Sequence, residues 1–127
     1  MQGAGGAEPR AHTPGAAGSA RDTDHTLAAV AGRIAGAELL VQRAAATADM
    51  HPPLSPDLVV RCRLDYTTAA NLLVEAANHL FREARARATS SGGPLPRLWR
   101  DANTAAMHPA LNLRPAAHAF AKVVLAP

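Results

Sequence analysis

From Asp57 to the run Ser90-Ser91-Gly92-Gly93, about 33 residues pass without a proline or glycine, and apolar side chains recur at helical spacing. Ser55 stands where an N-cap is needed, Pro56 at the first helical position and Asp57 in the first turn, a start signal that suits the positive end of a helix. One face of this stretch carries Leu58, Cys62, Tyr66, Ala69, Leu73, Ala76, Leu80 and Ala84. The opposite face carries Arg63, Thr67, Asn71, Glu75, Asn78, Arg82 and Arg85. At 1.5 Å per residue the stretch is an amphipathic rod of roughly 50 Å. A rod of that length buries its apolar face only against a partner of similar length.

The segment before it supplies one. From Asp22 to Met50 the chain reads as a first helix, with Asp22, Thr23 and Asp24 as N-cap candidates and His51-Pro52-Pro53 as a stop. Leu27, Val30, Ile34, Val41 and Ala45 fall on one stripe, while Leu39 and Leu40 lie off it. Gly32 and Gly36 each cost roughly 1 kcal/mol relative to Ala in mid-helix, which suggests packing contacts. Only residues 51–54 join the two helices, so they pair as an antiparallel hairpin. A third helix is expected from Pro96 to Met107, carrying Leu98, Trp99, Ala102, Ala105 and Ala106, with Pro109 ending it near His108. A fourth starts near Pro115, and its apolar end at Val123, Val124 and Leu125 calls for cover.

Composition agrees with an all-α chain. There are 31 Ala and 14 Leu but only four aromatic residues, which is poor material for strands. The expected architecture is a four-helix bundle over residues 22–127, built from two long antiparallel helices and two shorter ones. Residues 1–21 hold no Leu, Ile, Val or aromatic residue, and they read as a disordered leader.

Several functions are excluded on charge and residue type. The formal net charge is only +3, and 12 of the 13 basic residues are Arg, so the high pI does not signal a nucleic-acid partner. One cysteine, Cys62, makes no internal disulfide and is expected as a buried, inert thiol. His25, His51, His79 and His118 are scattered without a helical ligand pattern, so no metal is expected. No apolar run reaches the roughly 20 residues of a membrane span, so no membrane partner is expected and a reducing cytoplasm is the expected location.

One stretch has the character of a signature: Pro94-Leu95-Pro96-Arg97-Leu98-Trp99-Arg100-Asp101-Ala102-Asn103-Thr104-Ala105-Ala106-Met107-His108. It resembles the C-terminal helical domain of the acyl-CoA dehydrogenase superfamily, in its flavin-dependent monooxygenase branch, related to p-hydroxyphenylacetate hydroxylase oxygenase components and dibenzothiophene monooxygenase. In that branch a long helix ends in a small-residue loop and is followed by P-L-x-R-x-W-R-D-x-x-T-x-x-x-H, every fixed position of which is present here. The resemblance implies reduced flavin (FMN or FAD) as cofactor, His108 as the catalytic residue that handles protons beside it, and Thr104 and Asn103 as residues of the substrate and flavin pocket. It further implies self-association or a chain that supplies the absent flavin-binding domains, with a flavin reductase in the intact system. On this reading the chain is a C-terminal fragment or a stand-alone relic. The dehydrogenase branch places its catalytic Glu where this chain has Pro109, which removes the base for α-proton abstraction. A helical docking or oligomerisation module without chemistry is the alternative.

The residues themselves add expectations. Arg97 and Asp101 are an i,i+4 pair, and Arg100 and Asp101 are expected in ion pairs or caps between helices, with Trp99 as a core anchor. Thr104 lies one turn before His108. His108 is expected at the C-terminal end of its helix just before Pro109, where the negative end of the macrodipole favours the protonated imidazole, suited to donating a proton.

Overall fold

The computed structural model describes residues 14–50, 53–87 and 93–125. Residues 1–13 of the expected leader, the His51-Pro52 stop, the loop residues 88–92 and the last two residues lie outside it. All the elements described are helical: α1, Pro14–Ala48; α2, Pro56–Arg87; α3, Leu95–Ala106; a single 3-10 turn, Pro109–Leu111; and α4, Leu113–Val124. The two long and two short helices of the sequence reading are present, and no strand occurs among the described residues.

The first helix starts earlier than Asp22. Pro14 opens α1 in the position proline tolerates, and alanines at 16, 17 and 20 carry the helix through residues expected in the leader. Asp22, Thr23 and Asp24 are therefore not caps. Thr23 instead reaches across to α2, its hydroxyl donating to Glu83 Oε1 at 3.0 Å.

The hairpin of α1 and α2 has a fixed antiparallel register. Arg43 pairs with Asp65 and Arg33 with Glu75, so ten residues back along α1 match ten residues forward along α2. The seam between them is made of small residues: Val30, Ala37 and Ala44 from α1 meet Ala69 and Ala76 from α2, all buried. Of the apolar stripe expected on α1, only Val30 is buried. Leu27, Ile34 and Val41 stand at the margin about half exposed, because the alanine seam takes the line of closest approach. Gly36 faces Leu72 across the seam, where an added Cβ would lie 3.7 Å from Leu72 Cδ1. Gly32 faces open space, so it is not a packing contact.

α2 is the central rod. Every extensive contact between elements includes it: α1 lies on one side, and α3, the 3-10 turn and α4 lie on the other. Trp99 of α3 touches Asn78 and Phe81, while Phe120 of α4 lies under Arg61, so α3 and α4 follow one another back along α2, antiparallel to it. This arrangement corrects the reading of α2 as having one wet face. Thr67, assigned to that face, is fully buried, and its hydroxyl donates to the carbonyl oxygens of Arg63 and Leu64 at 2.8 and 3.1 Å. A second layer of short helices needs a second contact face, and α2 supplies it with Thr67, Ala77 and Asn78.

Candidate functional site

The signature segment folds as α3 and the turn that follows. Pro94 precedes the helix without a side-chain cap, and Pro96 lies in the first turn, where its missing N–H costs nothing. Trp99 fixes α3 to α2. Its ring stacks on Phe81 with centroids 4.6 Å apart and planes 15° from parallel, and its Nε1 donates to Asn78 Oδ1 at 2.6 Å. Arg85 lies over the other aromatic partner, 5.8 Å from the Phe81 centroid. Trp99 is thus an anchor, as expected, with its polar edge satisfied.

Asn103 belongs to the same knot. Its Nδ2 donates to the Trp99 carbonyl at 2.8 Å and to Asn78 Oδ1 at 3.3 Å, so one amide oxygen on α2 accepts from two residues of α3. Thr104, its neighbour in the chain, is exposed. The structure therefore does not bring the two expected pocket residues together. Arg97 and Asp101 pair at 3.7 Å within α3, both exposed. Arg100 is exposed and has no ion pair among the described residues, so the expected bridge between helices is absent.

His108 does not close α3. The helix ends at Ala106, Met107 caps it, and His108 takes an extended conformation (φ −62°, ψ 131°) as the cap of the 3-10 turn. Its Nδ1 accepts from the Ala110 N–H at 3.1 Å. His108 therefore sits outside α3, closing the next turn, and not at a helix C-terminus where the macrodipole would act on it. Pro109 is the reason: it cannot extend α3, and it starts a new turn whose free N–H the imidazole satisfies. The Nε2 edge of this exposed ring is the edge available for chemistry.

Beside this turn lies a half-open cleft of about 320 Å³, lined by Ala70, Asn71, Val74, Ala106, Met107, Leu111, Asn112 and Leu113. Neither Thr104 nor His108 lines it. The two polar residues are already engaged: Asn71 donates to Glu75 Oε1 at 2.8 Å, and Asn112 accepts from the Arg114 N–H as the cap of α4. The sequence signals for this cleft were weak, since Asn71 sits on the face of α2 read as solvated and Val74 was assigned to neither face.

A flavin nucleotide requires a slot for a planar ring and donors for a phosphate. The cleft is at the lower end of the roughly 300–1,000 Å³ range of ligand sites, and no Lys or Arg lines it. This cleft therefore does not fit a whole flavin nucleotide by itself. Nor do the described residues form a metal site, since no group of three or more His, Cys, Asp or Glu side chains comes together among them. Cys62, expected buried, is half-buried and free, with Sγ 3.5 Å from the Ala44 carbonyl oxygen. No helix among the described residues is long and apolar enough to cross a membrane.

The described residues thus form a long helical hairpin followed by two short helices, with the tryptophan of the signature segment pinned to the second long helix. The family model described as the acyl-CoA dehydrogenase C-terminal domain matches residues 10–113, and the chain belongs to that family. No curated protein and no solved structure gives a significant match.

Proposed function

We propose that this chain works as the helical domain of a flavin-dependent oxidoreductase, of the monooxygenase kind, whose flavin is held mainly by a further domain or chain. The observation that carries the reading is family membership over residues 10–113 together with a signature segment in which every fixed position is present, from Pro94 to His108. Two features support it. The resemblance puts Pro109 where the dehydrogenase branch has its base, so no carboxylate stands at that position of the sequence, and His108 is exposed, with its Nε2 free of the turn that Nδ1 closes, where a group held by another domain can reach it. On this reading His108 exchanges a proton at Nε2, while Trp99, Asn78 and Asn103 hold the segment in place. The test is His108→Ala and His108→Gln in the assembled protein. Turnover should fall with both, by about 10²-fold, the lower end of what a positioned acid or base contributes, while flavin content stays unchanged. Unchanged turnover in both variants would overturn the role.

A second reading is a docking or assembly module without chemistry. It is favoured by one specific observation: Asn103 and His108, two of the residues expected to be functional, are both engaged in hydrogen bonds that hold their own segment in place.

A further inference from the structure

The cleft between α2 and the turn after α3 holds two amides whose orientations are dictated by the bonds around them. Its walls are otherwise apolar: Ala70 and Val74 from α2, Ala106 and Met107 at the end of α3, and Leu111 and Leu113 beyond it. Asn71 and Asn112 are the polar exceptions, and each is tied by one half of its amide. Asn71 donates through Nδ2 to Glu75 Oε1 at 2.8 Å, and the other oxygen of that carboxylate accepts from Arg33 Nε at 3.3 Å. An ionised carboxylate only accepts, so the Asn71 amide cannot turn over, and its Oδ1 is the atom left over. Asn112 accepts through Oδ1 from the Arg114 N–H at 3.1 Å. A backbone N–H only donates, so here the NH2 group is left over. Among the described residues neither remaining atom has a hydrogen-bond partner.

We propose that this cleft binds a small uncharged carboxamide, whose hydrocarbon body rests on the apolar walls while its NH2 donates to Asn71 Oδ1 and its carbonyl oxygen accepts from Asn112 Nδ2. Size sets the body. The cleft measures about 320 Å³, twice the roughly 150 Å³ of an apolar cavity that takes up benzene, so one six-carbon ring with its amide fits. The walls set the charge. No Lys, Arg, Asp or Glu lines the cleft, so a carboxylate of the same shape loses its hydration without gaining a counter-charge, and it brings no donor for Asn71. An occupant touches α2 and the turn after His108 together, and so braces that turn, whose Leu111 N–H bonds to the His108 carbonyl at 2.9 Å. Asn103, Thr104 and His108 do not line the cleft. The inference therefore stands apart from the flavin reading, and either can fail without the other.

Titration of the full chain with cyclohexanecarboxamide, followed through backbone amide chemical shifts, tests it. The expected result is a saturable shift confined to residues 70–74 and 106–114, with a dissociation constant of about 0.1–1 mM for a ligand of about nine non-hydrogen atoms. Cyclohexanecarboxylate, the same body with a charge, should bind about tenfold more weakly or not at all. Asn112→Asp keeps an oxygen for the Arg114 N–H, and with it the start of α4, but removes the donor. It should weaken the carboxamide by about tenfold with helical circular dichroism unchanged. The absence of a saturable shift in the parent chain overturns the proposal. So does a carboxylate that binds as well as the carboxamide, an Asn112→Asp chain that binds it as well as the parent, or a shift that saturates outside the cleft.

Discussion

Asp65, buried within the hairpin, accepts two hydrogen bonds from the guanidinium of Arg43: Nε at 2.7 Å from one carboxylate oxygen and Nη2 at 2.6 Å from the other. The pair lies 22 residues apart in sequence and fixes the antiparallel register near the end of the hairpin that the α1–α2 connection closes. The Asp65 hydrogen bond, with its charge, holds the Arg43 guanidinium above its ordinary pKa.

Removing the arginine leaves a buried carboxylate without its partner. Arg43→Ala is expected to destabilise the fold by about 2–3 kcal/mol, less than a fully buried pair because the Arg43 side chain itself is largely in solvent. Arg43→Ala combined with Asp65→Asn should recover part of that loss, since the charge is then gone. Chemical denaturation of the two variants beside the parent chain measures the difference, and equal losses in the single and double variants would contradict this reading of the pair.

The start of α2 predicts a pH dependence. A hydrogen bond from Ser55, then the backbone N–H groups of Asp57 and Leu58 and the nearby Arg61, hold the Asp57 carboxyl below its ordinary range. A carboxyl depressed in the folded state stabilises the fold above its unfolded pKa, and that contribution is lost as pH falls through the folded pKa. Ser55→Ala should raise the Asp57 midpoint in an NMR titration and flatten the acid side of the melting profile. An unchanged midpoint would mean the hydrogen bond is not made.

Trp99 and Asn78 carry the attachment of α3. No residue of α3 is fully buried, so the indole stack and its hydrogen bond supply much of what holds the helix. Trp99→Ala should cost about 2–4 kcal/mol and Asn78→Ala about 1–2 kcal/mol. Amide exchange in residues 95–106 should speed up in both, while the α1–α2 seam stays protected. Uniform loss of protection across all helices would show that α3 is not an independent attachment.

Gly32 has no neighbour that a Cβ would meet. Gly32→Ala is expected to stabilise α1 by about 0.5–1 kcal/mol through helix propensity, and thermal unfolding reads the shift. A fall in melting temperature would show a role for the glycine that the fold does not contain.

Much of the fold was legible because helix signals are local. Ser55-Pro56-Asp57 starts α2, Pro109 stops α3, and Asn112 with its cap to Arg114 starts α4 two residues before the proline expected there. What could not be read was which sides of a rod are covered. Periodicity assigned α2 one dry face, but two layers of helix press on it, and the buried hydroxyl of Thr67 satisfies itself on its own helix, a partner no sequence pattern shows. On α1, residue size misled: the large side chains Leu27, Ile34 and Val41 drew the stripe, whereas the alanines at 37 and 44 make the contact. The site was legible in part. Trp99 was read as an anchor from its type. The role of Asn103 depends on Asn78, 25 residues earlier, and the conformation of His108 depends on a turn that only Pro109 and Ala110 complete.

In the function proposed above, this helical domain is part of an enzyme whose flavin is held mostly by a further domain or chain. Isolation of the native assembly under mild conditions, followed by its visible absorption spectrum and release of any bound cofactor, tests that claim most directly. The account predicts FMN or FAD in the assembly and none retained by the purified chain alone. An assembly free of flavin that takes up neither FMN nor FAD in reduced or oxidised form would contradict it.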